Sequence, residues 1–230
     1  MTTPHTPHGT PEAPLLTVRG EAELETEPEI ARITVTLTAR GRDRRTTLDD
    51  LTRRNTTALD LIKSYGDTVE RLTTGTLSLT PELSERGRGE RVHAYHGRVH
   101  LTADLTDFTH LAELTTRLAD LELTRVDGPW WLLRPDSPVY RQARQHAVRE
   151  AVQRAHEYAA ALGTTVTALT ELADTGTDRP QPTRAPLTRG LHRATLTGAA
   201  EPPEPLDLEP ERLHVSAQVS AHFTMAPPTL

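Results

Sequence analysis

Residues 213–225 alternate without a fault. Leu213, Val215, Ala217, Val219, Ala221, Phe223 and Met225 take every second position, and His214, Ser216, Gln218, Ser220, His222 and Thr224 fill the gaps. Successive side chains of a strand point to opposite faces, so this segment must have one face covered by protein and the other left wet. The chain therefore needs at least one sheet with something packed on a single side. The N-terminal region repeats the pattern in two pieces. Leu16, Val18, Gly20, Ala22 and Leu24 share one face, and after Glu27-Pro28 the residues Ala31, Ile33, Val35, Leu37 and Ala39 share another. The two pieces read as a hairpin pivoting at Pro28, whose missing N–H suits a turn or an edge.

From Thr47 the period lengthens to 3.6. Leu48, Leu51, Ala58, Leu59, Ile62 and Tyr65 form a stripe interrupted by Asn55, with Thr47 and Asp50 as a capping box and Gly66 as the C-terminal stop. Two extended runs follow, at residues 69–80 and 90–105, joined by a hairpin tip at Glu85-Arg86-Gly87-Arg88-Gly89. A short stripe at Phe108, Leu111, Leu114 and Leu118 makes a second helix. The next strand, within residues 121–134, ends in Trp130, Trp131, Leu132 and Leu133, and so is apolar on both faces. Ser137-Pro138 then places a hydroxyl at an N-cap and proline at the first helical position. The third helix carries Ala143, Ala147, Ala151, Ala155 and Ala159 every fourth residue, a row that allows close approach to a sheet. A short strand at residues 166–172 precedes the terminal one.

The order is β-β-α-β-β-α-β-α-β-loop-β. Hairpins mixed with helices imply an α+β fold of antiparallel sheets, each with helices on one face in a two-layer sandwich. The expected organisation is a disordered tail at 1–14 and one domain at 15–226. Within that domain, a core subdomain (15–66 plus 135–226) carries an inserted β-β-α-β subdomain at 67–134. A proline-rich loop spans 174–205, where six prolines stand among Thr, Arg and Gly and too little apolar surface is present to offset ordering entropy.

Charge and composition narrow the function classes. With 26 basic and 32 acidic residues the formal charge is −6, which repels nucleic acid and anionic lipid. The absence of cysteine removes disulfides, thiolate metal sites and thiol catalysis. No apolar run exceeds the five residues 158–162, far short of the ~20 that span a bilayer. The opening residues lack the apolar stretch of a secretory signal, so a cytoplasmic location is expected.

Chemistry is sparse along the chain. His93, His96 and His100 are the densest group among the 11 histidines. On one strand His93 and His96 face opposite ways, and His96 and His100 lie about 13 Å apart, too far to share one ion. His146 with Glu150 and His156 with Glu157 do not form the His-Glu-x-x-His arrangement. No Gly-x-Ser-x-Gly elbow surrounds any serine, and Ser137 is accounted for as a cap. Gly87-Arg88-Gly89 leads into no helix, and the single lysine, Lys63, lies within a helix, so no phosphate loop is formed. No catalytic, cofactor-binding or metal-binding residue is assigned. Trp130 and Trp131 concentrate the large aromatics of a chain with only 2 Trp and 2 Phe. One indole is expected in the core, the other as an interface anchor.

These residues, taken in order, resemble the SIMPL (DUF541) family. Leu16-Thr-Val-Arg-Gly-Glu-Ala-Glu followed by Glu27-Pro-Glu-Ile-Ala-Arg-Ile-Thr-Val is similar to its N-terminal signature. Tyr95-His-Gly-Arg-Val-His-Leu-Thr-Ala-Asp-Leu resembles its strand before a helix, the alanine row through Gly163 resembles its helix, and Leu208-Glu-Pro-Glu-Arg-Leu-His-Val resembles its closing strand. The resemblance implies an α+β fold, a link to oxidative stress, homo-oligomers in some members and no established active site. The expected function is that of a non-enzymatic protein working through self-association or an unknown protein partner, without cofactor, nucleic acid or membrane span. The alternative is a small-ligand or metal-dependent enzyme using surface histidines.

Overall fold

The structure, a computed structural model, describes residues 9–83, 92–178 and 208–229. Its elements are β1 (Leu15–Thr26), β2 (Ile30–Gly41), α1 (Arg44–Lys63), a 3₁₀ turn (Gly66–Thr68), β3 (Val69–Leu83) and β4 (Val92–Leu105). They continue with α2 (Thr109–Ala119), β5 (Thr124–Leu132), α3 (Pro138–Ala161), β6 (Val166–Asp178) and β7 (Leu213–Met225). Every strand pair is antiparallel, in two sheets ordered β1-β7-β6 and β3-β4-β2-β5. This is the α+β fold and element order that the periodicities imply. The hairpin tip at 85–89, residues 1–8 of the tail and residues 179–205 of the proline-rich loop lie outside the described residues. Residues 174–178, expected in that loop, extend β6 instead. Within the expected tail, Thr10 and Ala13 form a bridge, and Pro14 accepts from the Met225 N–H at 3.0 Å.

The strands flanking Pro28 are not a hairpin. β1 pairs with β7, whereas β2 lies between β4 and β5 in the other sheet. The subdomain boundary shifts accordingly. A terminal unit comprises residues 9–27, 134–178 and 212–229, and a central unit comprises 28–83, 92–133 and 208–211. Residues 28–66, expected with the termini, belong to the central unit, and the 67–134 insertion is really 28–133. Alternation reports which face of a strand is buried but not which strand lies beside it. Gly20 of β1 meets the alanine row of α3, while the aliphatics of β2 share a core with leucines of α1 and α2.

In the terminal unit, Ala143, Ala147, Ala151, Ala155 and Ala159 of α3 are buried, as are Val18 of β1 and the whole apolar face of β7. The approach is close enough that a Cβ built on Gly20 collides with the Ala147 carbonyl oxygen and stands 2.7 Å from the Ala151 Cβ. Glycine is required there by helix backbone and not by its own dihedrals. Ser137 caps α3 as its sequence position suggests, its side chain accepting from the Val139 N–H at 3.4 Å, with Pro138 opening the helix.

The central unit has the larger side chains. Ile33, Val35 and Leu37 of β2, Leu101 and Leu105 of β4, Leu51 and Ile62 of α1, and Leu111, Leu114 and Leu118 of α2 are all fully buried. Each such chain removed from water contributes on the order of 1.5–3 kcal/mol. α1 starts one turn earlier than expected. Asp43 is its cap, accepting from the Thr46 N–H at 2.9 Å, and Thr47 donates its hydroxyl to the Asp43 carbonyl at 2.8 Å. Asp50 serves the ion pairs of Arg53 and Arg54 instead of a capping box.

Sheet edges are treated differently. β3 carries three register shifts and Pro81, β6 three register shifts, and β5 a shift in its pairing and Pro129. Bulges and prolines are the usual means of blunting an edge. β1 has neither. It pairs with β7 over twelve consecutive residues with no shift.

The Gly20 contact yields a direct test. Gly20→Val should lower stability by about 1–3 kcal/mol through overpacking against α3. The measurement is urea unfolding followed by circular dichroism, and an unchanged midpoint would show that the helix does not sit where described.

Candidate functional site

The two tryptophans point to opposite sides of the four-stranded sheet. Trp131 pairs with Ala31 on the core side and packs edge-to-face on Phe108, with ring centroids 5.0 Å apart. It is a packing residue. Trp130 pairs with Arg32 on the face away from α1 and α2, where it is half-buried.

That second face is polar and internally satisfied. Arg32 makes a two-pronged bond to Asp104, Nε to Oδ1 at 2.6 Å and Nη2 to Oδ2 at 2.8 Å. Asp104 is 4% exposed, the one buried acidic residue among those described. The carboxylate holds the Arg32 guanidinium above its ordinary pKa by hydrogen bonding, against the opposing effect of partial burial. Arg40 grips Glu82 in the same bidentate fashion, at 2.8 and 2.9 Å. That hydrogen bonding is the leading reason the Glu82 carboxyl lies below the usual range. These charges neutralise one another across strands; they brace the sheet and present no unpaired base or acid for proton transfer.

Histidines are dispersed. His96 pairs with Arg40 and His100 with Thr36, whose Oγ1 lies 2.9 Å from His100 Nδ1. His93, at the start of β4, is exposed, and so are His146 and His156 on α3. Among the described residues no three histidine or carboxylate side chains gather at metal-binding distance.

One cluster joining α1 to α2 was not apparent from spacing. Asp107 Oδ2 lies 3.0 Å from His110 Nδ1, and the imidazole meets the Tyr65 ring edge-on at 6.1 Å. Tyr65 in turn donates its hydroxyl to Glu113 at 3.0 Å and accepts from Arg117 at 3.1 Å. A carboxylate orienting an imidazole is the geometry of a base and its positioning group. Here the hydroxyl beside the imidazole, that of Thr109 at 3.3 Å, faces the same Nδ1 as Asp107, so the two do not sit on opposite ring nitrogens as a relay requires. Burial pushes the Tyr65 phenol above its usual range, which leaves it protonated. Asp107 also accepts from the Thr109 N–H at 2.9 Å and the Thr109 hydroxyl at 2.6 Å, so it serves chiefly to start α2. The Asp-x-Thr spacing before an apolar stripe signals that helix start, but not the cluster with Tyr65.

Depressions on the surface are open to solvent. One of about 390 Å³ lies between α1 and β3 and is lined by Leu59, Lys63, Val69 and Leu72; another, of about 410 Å³, is lined mainly by Glu21, Glu23, Thr175, Ser216 and Gln218. Neither brings together a nucleophile, a base and an oxyanion-binding group. Among the described residues no helix is long and apolar enough to cross a membrane.

The chain matches the family described as SIMPL, protein of unknown function (DUF541), over residues 16–223, and it belongs to that family. The comparison with curated proteins gives no match. Among solved structures, similarity is found to an X-ray crystal structure from Burkholderia cenocepacia, provisionally named an amidohydrolase/peptidase. The identity is 17%, over 57% of this chain and 33% of that one, with a TM-score of 0.24. The chain thus spans about a third of that protein's length, and a likeness this low carries no inference about activity.

Two measurements probe these networks. Arg32→Ala strands the buried Asp104 carboxylate and should cost about 2–4 kcal/mol in urea unfolding, less than a fully enclosed pair because Arg32 is 40% exposed. Arg40→Ala, at an exposed pair, should leave the midpoint unchanged; equal losses would mean that burial is not the deciding factor. Asp107 is held below the ordinary carboxylate range, first by the Thr109 hydroxyl and N–H and then by His110. Its contribution to stability is therefore present above that range and is lost as pH falls through the depressed value. Thr109→Ala should move the Asp107 carboxyl titration, followed by NMR, back toward the ordinary value, and an unmoved titration would contradict the assignment.

Proposed function

We propose that this SIMPL protein works by protein association and not by catalysis, and that its own chain is the first partner. The observation carrying this reading is the overhang of β6. Leu169 pairs with Phe223 and Leu172 with Ala221, which places both leucines on the side of the sheet where α3 packs. Phe223 and Ala221 are buried there, yet Leu169 is 52% and Leu172 47% exposed. The layer above β7 and β1 covers the edge strand only in part and leaves these two leucines exposed. Val152 on α3 is also exposed, at 38%. These side chains carry no charge to desolvate, so two copies placing the same strip together would bury leucine on leucine in a self-complementary contact. The polar networks described above support the non-catalytic side of the proposal, since their charges are engaged with one another.

Light scattering coupled to size-exclusion chromatography tests the reading. The full chain should elute with a mass of at least twice 25.4 kDa. The double variant Leu169→Asp, Leu172→Asp should elute as a monomer with unchanged circular dichroism, while Trp130→Ala should retain the assembled mass. A wild-type chain that is monomeric at its highest attainable concentration overturns the proposal.

A further inference from the structure

We infer that the outer edge of β1 is a docking rail for an extended segment of another protein that carries arginine or lysine at every second residue. The backbone provides the first part of the argument. The Glu21 N–H points away from β7, because it donates to Glu150 Oε2 of α3 at 3.0 Å. In an antiparallel ladder the outward and inward groups alternate. Arg19, Glu23 and Glu25 therefore also direct their N–H and C=O groups outward, and among the described residues these outward groups have no partner. Since β1 is the edge without shifts or proline, its register is regular over its length. An added strand would find evenly spaced donors and acceptors, as in other β-augmentation complexes.

Side chains specify the occupant. Glu21, Glu23, Glu25 and Glu27 occupy four successive odd positions. The first three have exposed side chains, at 54, 72 and 49%. Residues two apart on a strand are about 6.6–6.8 Å apart, so these carboxylates form a ruler for a second strand whose cationic side chains recur with the same period. The intrachain partners leave room for exchange. Arg19 reaches Glu21 at 3.7 Å and Arg212 reaches Glu25 at 3.6 Å, both as exposed pairs of small energetic weight; Glu23 has His214 at 3.3 Å, and Glu21 also accepts an exposed, uncharged hydrogen bond from Gln218 Nε2 at 2.7 Å. A second β1 is a poor occupant. Antiparallel pairing centred on Glu21 sets that glutamate against its own copy, and parallel in-register pairing opposes all of them.

Glu150 acts as the stopper of this rail. It accepts from the Glu21 N–H and is ion-paired with Arg154 on the same helix, to which it can withdraw. Strand addition and the Glu150 contact compete for one donor, so the stopper sets the affinity of the edge without touching the incoming side chains. This site is separate from the β6 strip, and either can fail without the other.

The test uses the full chain and fluorescence anisotropy with three labelled peptides of equal length. One alternates arginine with valine, a second has the same composition with its arginines grouped, and a third alternates glutamate with valine. The alternating basic peptide should bind, the grouped one about tenfold more weakly, and the acidic one not at all. Glu150→Ala should tighten binding several-fold, and Glu23→Pro, which removes an outward N–H while leaving the ladder to β7 intact, should abolish it. N-methylation of alternate peptide bonds in the ligand should abolish binding too, and this readout does not depend on how the variants fold. Equal binding of the alternating and grouped peptides, or indifference to N-methylation, would reduce the site to loose charge attraction and overturn the inference. So would a weaker Glu150→Ala complex.

Discussion

The antiparallel ladder between β1 and β7 closes the chain on itself. Residues 15–26 bond residues 213–224 in continuous register, and the whole central unit lies between them in sequence. Bringing together strands nearly 190 residues apart costs about 4–5 kcal/mol of loop-closure entropy. What repays it is contact that exists only once both strands are present: the apolar face of β7, the small face of β1 and the alanine row of α3 cannot be buried separately. Gly20 sets the tolerance of that contact. With the backbone of α3 lying where a Cβ would be, one extra methyl lifts the helix from the sheet.

Two packing solutions coexist in one chain. The terminal unit brings small residues close together, while the central unit fills its layer with leucine, isoleucine and valine beneath two helices. Both cover one sheet face and leave the other polar; the central unit links charges across strands through Arg32–Asp104 and Arg40–Glu82, while the terminal unit carries an exposed row of glutamates on β1. The engagement of these paired charges with one another supports the association-based reading proposed above, because catalytic groups need perturbed, unengaged acids or bases in a shielded space. The binding surfaces proposed above lie at the margins: β6 exposes leucine, and β1 ends its sheet without the irregularities that blunt the other edges.

Much of this was legible from residues alone, and the failures have two causes. The period-two runs located β1, β2 and β7, the alanine spacing located α3, and Ser137-Pro138 marked its start. The supposed hairpin at Pro28 failed because alternation carries no information about strand partners. The start of α1 was missed because Asp43 and Thr47 are both good capping residues, and only the buried Thr47 hydroxyl, turned back to the Asp43 carbonyl, distinguishes them. Of the candidate site, the opposite facing of Trp130 and Trp131 follows from adjacency on a strand. The Arg32–Asp104 pair and the Tyr65 cluster do not, because their members are 72 and up to 52 residues apart and meet only through sheet register and helix packing.

Sequence by itself determined the α+β class, the helices, which strand faces are wet and the membership of the SIMPL family, since each of these rests on local periodicity or on residues read in order. Tertiary structure alone decided that β1 joins β7 while β2 joins β4 and β5, that β6 leaves Leu169 and Leu172 exposed, and that β1 is a regular edge whose Glu21 N–H is bonded by Glu150. Those outcomes depend on long-range complementarity of size and hydrogen bonding, which no single segment contains.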